Sequence, residues 1–317
     1  MLRKLISPFS YRVIKLYREK YITKKLSNEI EHKKVISDAN EAAESICNLI
    51  SSSKPCMISR FGSNELDAVI NYRKGHPLAF MRKKFPFWVN DKTKSRMQDN
   101  AGFFPVNNNT LSQFADLIID IAPEIDILGS WIPQERMLEE LRNCKLIKLM
   151  HLEPFWATEP WTALLKDKKI LIVHPFEESI RSQYERRELL FKNKDTLPKF
   201  AALHIIKAVQ SIGGVSNGFD SWFDALKYME NQIDNIDYDI ALIGCGAYGM
   251  PLAAHCKQMG KQAVHLGGAL QLLFGIRGAR WEADGWDSKE IMNEYWVRPL
   301  ESERPPTADA VENACYW

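Results

Sequence analysis

Short apolar runs alternate with longer amphipathic stretches through most of this chain. The runs "CMISR" (56–60), "IDILGSW" (125–131), "LIKLMHL" (146–152), "KILIVHPF" (169–176), "DIALIGCG" (239–246) and "QAVHLGG" (262–268) predict short strands buried on both faces. Helical spacing of apolar residues fills 64–73, 110–122, 134–142, 178–191, 221–233 and 248–259. One segment, "AALHIIKAV" (201–209), fits strand and helix alike. Strands alternating with helices predict an α/β fold: a doubly wound, mostly parallel, Rossmann-like sheet with helices on both faces. No repeat, low-complexity tract or long linker interrupts the pattern, so a single domain is expected over 38–317, with 299–317 as its C-terminal tail. In such sheets, ligands bind at the carboxyl ends of the strands.

The first 37 residues read differently, as a basic helical arm. Within 1–25 there are eight Lys or Arg and one acid, Glu19, for a local charge of +7. Pro8 interrupts the pattern, and a helix is expected from about Tyr11. A basic amphipathic helix can lie on an anionic membrane surface. It can equally pack, solvated, on the domain or on a partner subunit. The whole chain carries only +2, so the remainder is mildly acidic at −5. That balance argues against nucleic acid as a partner, because the basic excess is confined to one terminal arm.

With 45% hydrophobic and 11% aromatic residues in 317, the chain can bury a sizeable core. The six cysteines are scattered and form no C-x-x-C pair. They read as buried thiols in a reducing compartment, not as a disulfide framework or a zinc site. No apolar run has signal-peptide or membrane-span length, and the expected location is cytoplasmic, at the inner face of the membrane on the reading in which the arm lies on it.

Five stretches carry candidate chemistry. In the first, Arg60-Phe61-Gly62-Ser63-Asn64-Glu65 follows a strand and opens a helix. Backbone N–H groups and the helix dipole would face an anion there, with Arg60 as a phosphate clamp. Ser63 suits an N-cap, which puts Glu65 in the first turn. Glu65 is then either a general base or metal ligand, or an acid that merely complements the dipole. In the second, Gly244, Gly246 and Gly249 form G-x-G-x-x-G between strand and helix, with Tyr248 inside it. A nicotinamide or flavin site would need an acid ending the next strand, but that strand ends His265-Leu266-Gly267-Gly268. Tight strand–helix packing would account for the glycines equally well.

The third stretch ends a strand at His174 and opens a helix with Ser179 and Gln183 on one face. These could meet an acceptor, or be a satisfied histidine beside a surface charge run. In the fourth, Arg277 and Arg280 lie among glycines after Gly267-Gly268. Such donors can stabilise a leaving diphosphate without a metal, or decorate a turn. The C-terminal aromatics can stack on sugar rings, close a lid or simply pack on the domain. No H-E-x-x-H, G-x-S-x-G or Walker A pattern is present.

Taken with these residues, the chain resembles bacterial proteins encoded among polysaccharide-biosynthesis enzymes and, more distantly, the GT-D type of glycosyltransferase. The GT-D segment "S-R-I-G-D-G-E" is matched at Ser59, Arg60, Gly62 and Glu65, while Ser63 stands where that family has Asp, and Asn64 replaces its middle Gly. The late strand, G-x-G, helix, K-x-G, strand pattern is matched from Leu242 to Gly267, with Lys257 to Gly260 reading K-x-x-G. The resemblance implies a nucleotide-sugar donor and a surface-glycan acceptor, which a lipid anchor would place beside the basic arm. It implies a catalytic role for Glu65 with Asn64 beside it. Donor contacts would come from Arg60, Gly62, Ser63, Gly244, Gly246, Tyr248, Gly249, Gly267, Gly268 and Arg277, and acceptor contacts from His174, Ser179, Gln183 and Arg280. With one acid of the pair missing, Mg²⁺ or Mn²⁺ would be held by Glu65 together with phosphates and water. Otherwise arginines and helix N-termini carry the diphosphate charge. Two other classes are open on the residues: a Rossmann enzyme using NAD or S-adenosylmethionine, and a non-catalytic scaffold of a polysaccharide-assembly complex.

Overall fold

A computed structural model describes residues 34–75, 89–283, 290–310 and 314–317. The basic arm, with its helix from Tyr11 and its membrane-surface role, lies outside the described residues apart from its last few positions.

Eight strands form one sheet, and every pairing is parallel. They are β1 (Val35–Ile36), β2 (Cys56–Ser59), β3 (Ile127–Ser130), β4 (Lys145–Lys148), β5 (Lys169–His174), β6 (Ala202–Lys207), β7 (Ile240–Ile243) and β8 (Gln262–His265), in the spatial order β1-β4-β3-β2-β8-β7-β5-β6. The sheet therefore takes in Val35 and Ile36, ahead of residue 38. The α/β, doubly wound reading holds. The ambiguous segment 201–209 is the edge strand β6.

Register explains why the centres of the strands are apolar. Ile127, Ile58, Val264, Leu242, Ile172 and Ile205 stand side by side across six strands. Side chains alternate faces along a strand, so this row feeds one core. That core is completed by α1 (Ala39–Ser51), α5 (Glu177–Glu185), Leu152, Trp161, Trp281 and Trp296. Met57, Leu128, Leu171 and Ala263 join the opposite core with α2 (Ser63–Gly75), α3 (Asp91–Asp99), α4 (Asn108–Ile121), α6 (Trp222–Asp234) and α7 (Gly249–Gln258). Side-chain caps begin several helices: Asp38 accepts from Glu41 N–H, Asn90 from Thr93 N–H and Ser221 from Asp224 N–H.

Three expectations are corrected. The helix expected at 134–142 is two 3₁₀ turns, Pro133–Met137 and Glu139–Asn143, because Glu135 turns back to bond Ser130 and the N–H groups of Trp131 and Ile132. The strand expected at 146–152 ends at Lys148, where the chain turns so that Leu149 and Leu152 close over Gly129. The helix expected over 178–191 gives way after Glu185 to a 3₁₀ turn, Arg187–Leu189. Helices α1 and α3 were not among the expected ones. All six cysteines are free, and five of them are buried. Among the described residues, no helix is long and apolar enough to cross a membrane.

Candidate functional site

One step along the strands from the apolar row, the next row reads Leu128, Ser59, His265, Ile243, Val173. Two polar residues interrupt it at its centre. Ser59 and His265 are buried and joined by a hydrogen bond of 3.0 Å between Oγ and Nδ1. Burying polar groups costs free energy unless they are paired, so this pair marks where the sheet stops being only a core. Immediately beyond it, a small cleft opens between the carboxyl ends of β2, β8 and β7. It is lined by Arg60, Phe61, Gly62, Glu65, Ile118, Gly246, Ala247, Met250 and His265. Its cavity of about 10 Å³ has room for one water molecule. A larger ligand must lie across its mouth.

The first stretch enters this cleft as expected, with one change. Helix α2 begins at Ser63 rather than after it, and Leu66 N–H donates to Gly62 C=O. The cap position falls on Gly62. Glu65 occupies the first turn, and its carboxylate folds back over Gly62. A Cβ on Gly62 would lie 1.9 Å from Glu65 Oε2. Only glycine leaves that space, so Gly62 positions the acid. Burial pushes the Glu65 carboxyl above the usual carboxylate range; its own backbone N–H and the Arg60 charge pull the other way. Asn64 is half-buried beside it, and Ser63 is exposed.

Arg60 is held between β2 and the turn after β8. Its guanidinium lies 5.4 Å from the Trp131 ring centroid, and Gly267, at φ +65°, turns beneath its side chain. Arg280 lies outside the cleft lining but close enough for its charge to help lower the Arg60 pKa. It bonds Tyr316 Oη at 2.9 Å and its guanidinium sits 4.6 Å over that ring, while Tyr316 closes on Gly268.

The glycine motif reaches the cleft through Gly246, while its other glycines serve packing. Gly246 has φ +59°, and a Cβ there would meet nothing within 4 Å. A Cβ on Gly244 would stand 2.5 Å from the Gly267 carbonyl oxygen, and one on Gly249 would stand 2.2 Å from His265 Nε2. Gly244→Ala should therefore lower stability by about 3 kcal/mol, since its clash is with backbone. Gly246→Ala should cost only about 1 kcal/mol, the strain of a left-handed residue. Urea midpoints of the two variants check this ordering, and equal losses would contradict it.

Several expected site residues lie elsewhere. Tyr248 is buried, stacked on Trp222 at 4.8 Å, with its hydroxyl on Ser211 at 2.8 Å; it supports the turn from behind. His174 falls one position further along β5, so it faces the other core. It packs on Phe176, whose N–H donates to His174 Nδ1 at 3.0 Å. Ser179 donates to Glu303, whose other oxygen accepts from Glu178 N–H at 2.7 Å. Gln183 donates to the carbonyls of Gly275 and Tyr295. Both side chains are buried and committed to holding the C-terminal segment. Arg277 faces Glu282 at 3.6 Å and does not line the cleft. Lys257 bonds Asp126 and the Glu124 carbonyl, at the amino ends of the strands and away from the site.

Three residues at or beside the cleft carry little signal in the sequence: His265, Trp131 and Glu135. A polar residue ending a buried strand was the available signal for His265. Burial, with Arg60 adding to it, pushes His265 down to about 3, so its ring is neutral. Trp131 and Glu135 carried no signal, because they meet Arg60 only through strand order.

The donor set does not fit a divalent ion held by protein ligands. Glu65 faces Arg60, and Glu135 spends its oxygens on Ser130, Trp131 and Ile132. Among the described residues, no three His, Cys, Asp or Glu side chains group as metal ligands. The site offers instead one carboxylate of raised affinity for protons, a neutral imidazole, a cation and a glycine turn open to a ligand.

No family model matches the chain, and neither does any curated protein. Two solved structures of domain of unknown function 1792 are similar to it, each with a TM-score of 0.42 and 13% identity. One, a selenomethionine form, is covered over 95% of its length by 88% of this chain. The other, described as having a distinct glycosyltransferase fold, is covered over 95% by 89% of this chain.

Proposed function

We propose that this protein transfers a sugar from a nucleotide-activated donor to a hydroxyl of a glycan acceptor. The observation that carries the reading is the meeting of Glu65 and Gly246 in one cleft, although they are far apart in the chain. Sugar transfer needs two things at one place: stabilisation of a leaving diphosphate, and a base for the attacking hydroxyl. Arg60, supported by Arg280, and the turn at Gly246 supply the first. Helix α7 opens at this turn, so its dipole also favours an anion. Glu65 supplies the second. As the acceptor oxygen attacks the anomeric carbon, its proton passes to the Glu65 carboxylate, and the bond to the diphosphate breaks. His265 stays neutral and adds no positive charge that would hold that proton back.

Of the residues of the first segment that match the GT-D pattern, Arg60, Gly62 and Glu65 line this cleft, and Ser59 bonds its lining residue His265. A surface polysaccharide as acceptor, lipid-linked and met at the membrane through residues 1–25, belongs to the same proposal.

A thermal-shift screen tests it. UDP-glucose, UDP-galactose and GDP-mannose, each with and without Mg²⁺ or Mn²⁺, are compared with NAD⁺ and S-adenosylmethionine. A saturating donor should raise the midpoint by roughly 5 °C. A shift with NAD⁺ or S-adenosylmethionine, and none with any nucleotide sugar, overturns the reading.

A further inference from the structure

Trp131 is the first residue after β3, 47% exposed, and it stands against the cleft-lining residues Arg60 and Phe61. An exposed tryptophan is unremarkable when it is loose. This one is fixed by three separate devices. Its Nε1–H donates to the Phe61 carbonyl at 3.0 Å, its backbone N–H donates to Glu135 at 3.4 Å, and its ring lies against Arg60 at 5.4 Å. Glu135, 3% exposed, is itself locked by Ser130 Oγ at 2.6 Å. A buried acid is thus committed to shaping the turn that presents the indole. Holding a large apolar face rigidly in water lowers the cost of binding something flat against it.

We infer that Trp131 is the stacking platform for the acceptor sugar ring. The inference rests on the donor reading above and adds the acceptor side of the same site. Strand order separates the two sides. Across β3-β2-β8-β7, Trp131 ends one flank, the glycine turn ends the other, and Glu65 lies between them. The diphosphate at Gly246 and the indole of Trp131 therefore stand on opposite flanks of Glu65, and the Trp131 flank falls to the molecule whose hydroxyl Glu65 deprotonates. A pyranose offers an apolar C–H face to the indole and its hydroxyls to the cleft. Trp131 is a positioning residue, acting through where it places the acceptor.

Saturation-transfer NMR on the full-length protein tests this with methyl β-D-glucopyranoside and methyl β-D-galactopyranoside as acceptor probes and UMP and GMP as nucleotide probes. Trp131→Ala and the bulkier Trp131→Leu should weaken the pyranoside signal about tenfold, and Trp131→Phe should restore most of it. Nucleotide signals should be the same in all four proteins. A pyranoside signal unchanged in both Ala and Leu variants overturns the inference. So does its absence from the wild-type protein, or a loss confined to UMP and GMP, which would make Trp131 a platform for the base. Failure of the donor reading shows separately, as a wild-type protein silent toward every nucleotide and nucleotide sugar while the pyranoside contrast still decides the role of Trp131.

Discussion

Glu65→Gln should abolish sugar transfer while leaving donor binding intact. General-base catalysis contributes about 10²–10⁴-fold, and the amide cannot take the proton. The acid limb of the pH–rate profile should reveal the same group. Burial raises the Glu65 pKa, so in the wild-type protein activity should rise with pH through a value above the usual carboxylate range near 4.3, and residual turnover in the variant should lack that limb. Misfolding is not the expected cause of the loss. A carboxyl whose folded pKa is raised costs stability above its unfolded pKa, as pH rises and the charge must be carried inside the protein. Removing it should leave the urea midpoint at pH 7.5 no lower than that of the wild type. Single-turnover transfer and calorimetric donor binding check the two halves. Transfer by Glu65→Gln at the wild-type rate would remove Glu65 from the mechanism and leave it as the first-turn acid of α2.

The second large effect is acid lability from two buried histidines. His174 and His265 are both pushed down to about 3, chiefly by burial. Unfolded, each returns to about 6.5. Between these values the unfolded chain binds more protons, so stability is lost as pH falls from about 6.5 and the loss levels off below about 3. At pH 4.5 each histidine should cost on the order of 3 kcal/mol. Glu153 works against this trend. Burial raises it to about 7, so it favours the folded state as pH falls. The contrast must therefore come from variants. His174→Asn and His265→Asn keep a polar atom near Nδ1 and do not titrate. The double variant should be less stable than wild type at pH 7.5, because two packed rings are lost. Its urea midpoint should nevertheless fall less steeply between pH 6.5 and 4.5. Parallel slopes for the two proteins would mean that the rings are already protonated, or reached by water, in the folded state.

The two histidines also show how far the chain could be read. Both end a buried strand in similar text, "IVHP" and "AVHL". A strand's period of two sends neighbours to opposite faces. His174 and His265 sit one register step apart in the sheet, so one faces the α1–α5 core and the other faces the cleft. The chain alone pointed to His174, which does not line the cleft, because cross-strand register depends on residues far away in sequence. Ser179 and Gln183 were misplaced for a related reason. Their partners, Glu303 and the carbonyls of Gly275 and Tyr295, come from a C-terminal segment whose path local pattern does not reveal.

Local information was enough where the physics is local. Apolar runs bounded by glycine, proline and polar residues determined six of the eight strands and so the parallel, doubly wound class. The fragment Gly62 to Glu65 likewise carried its own geometry, since a glycine before a helix and an acid in the first turn need no distant partner. What tertiary structure alone decided is adjacency. By seating β8 between β2 and β7, it brought His265 and Gly246 to Glu65. By seating β3 beside β2, it brought Trp131 and Glu135 to Arg60. Hydrogen bonding in a parallel sheet is indifferent to side-chain identity, so strand order is set by how whole helices pack over the two faces, and no short stretch of residues encodes it.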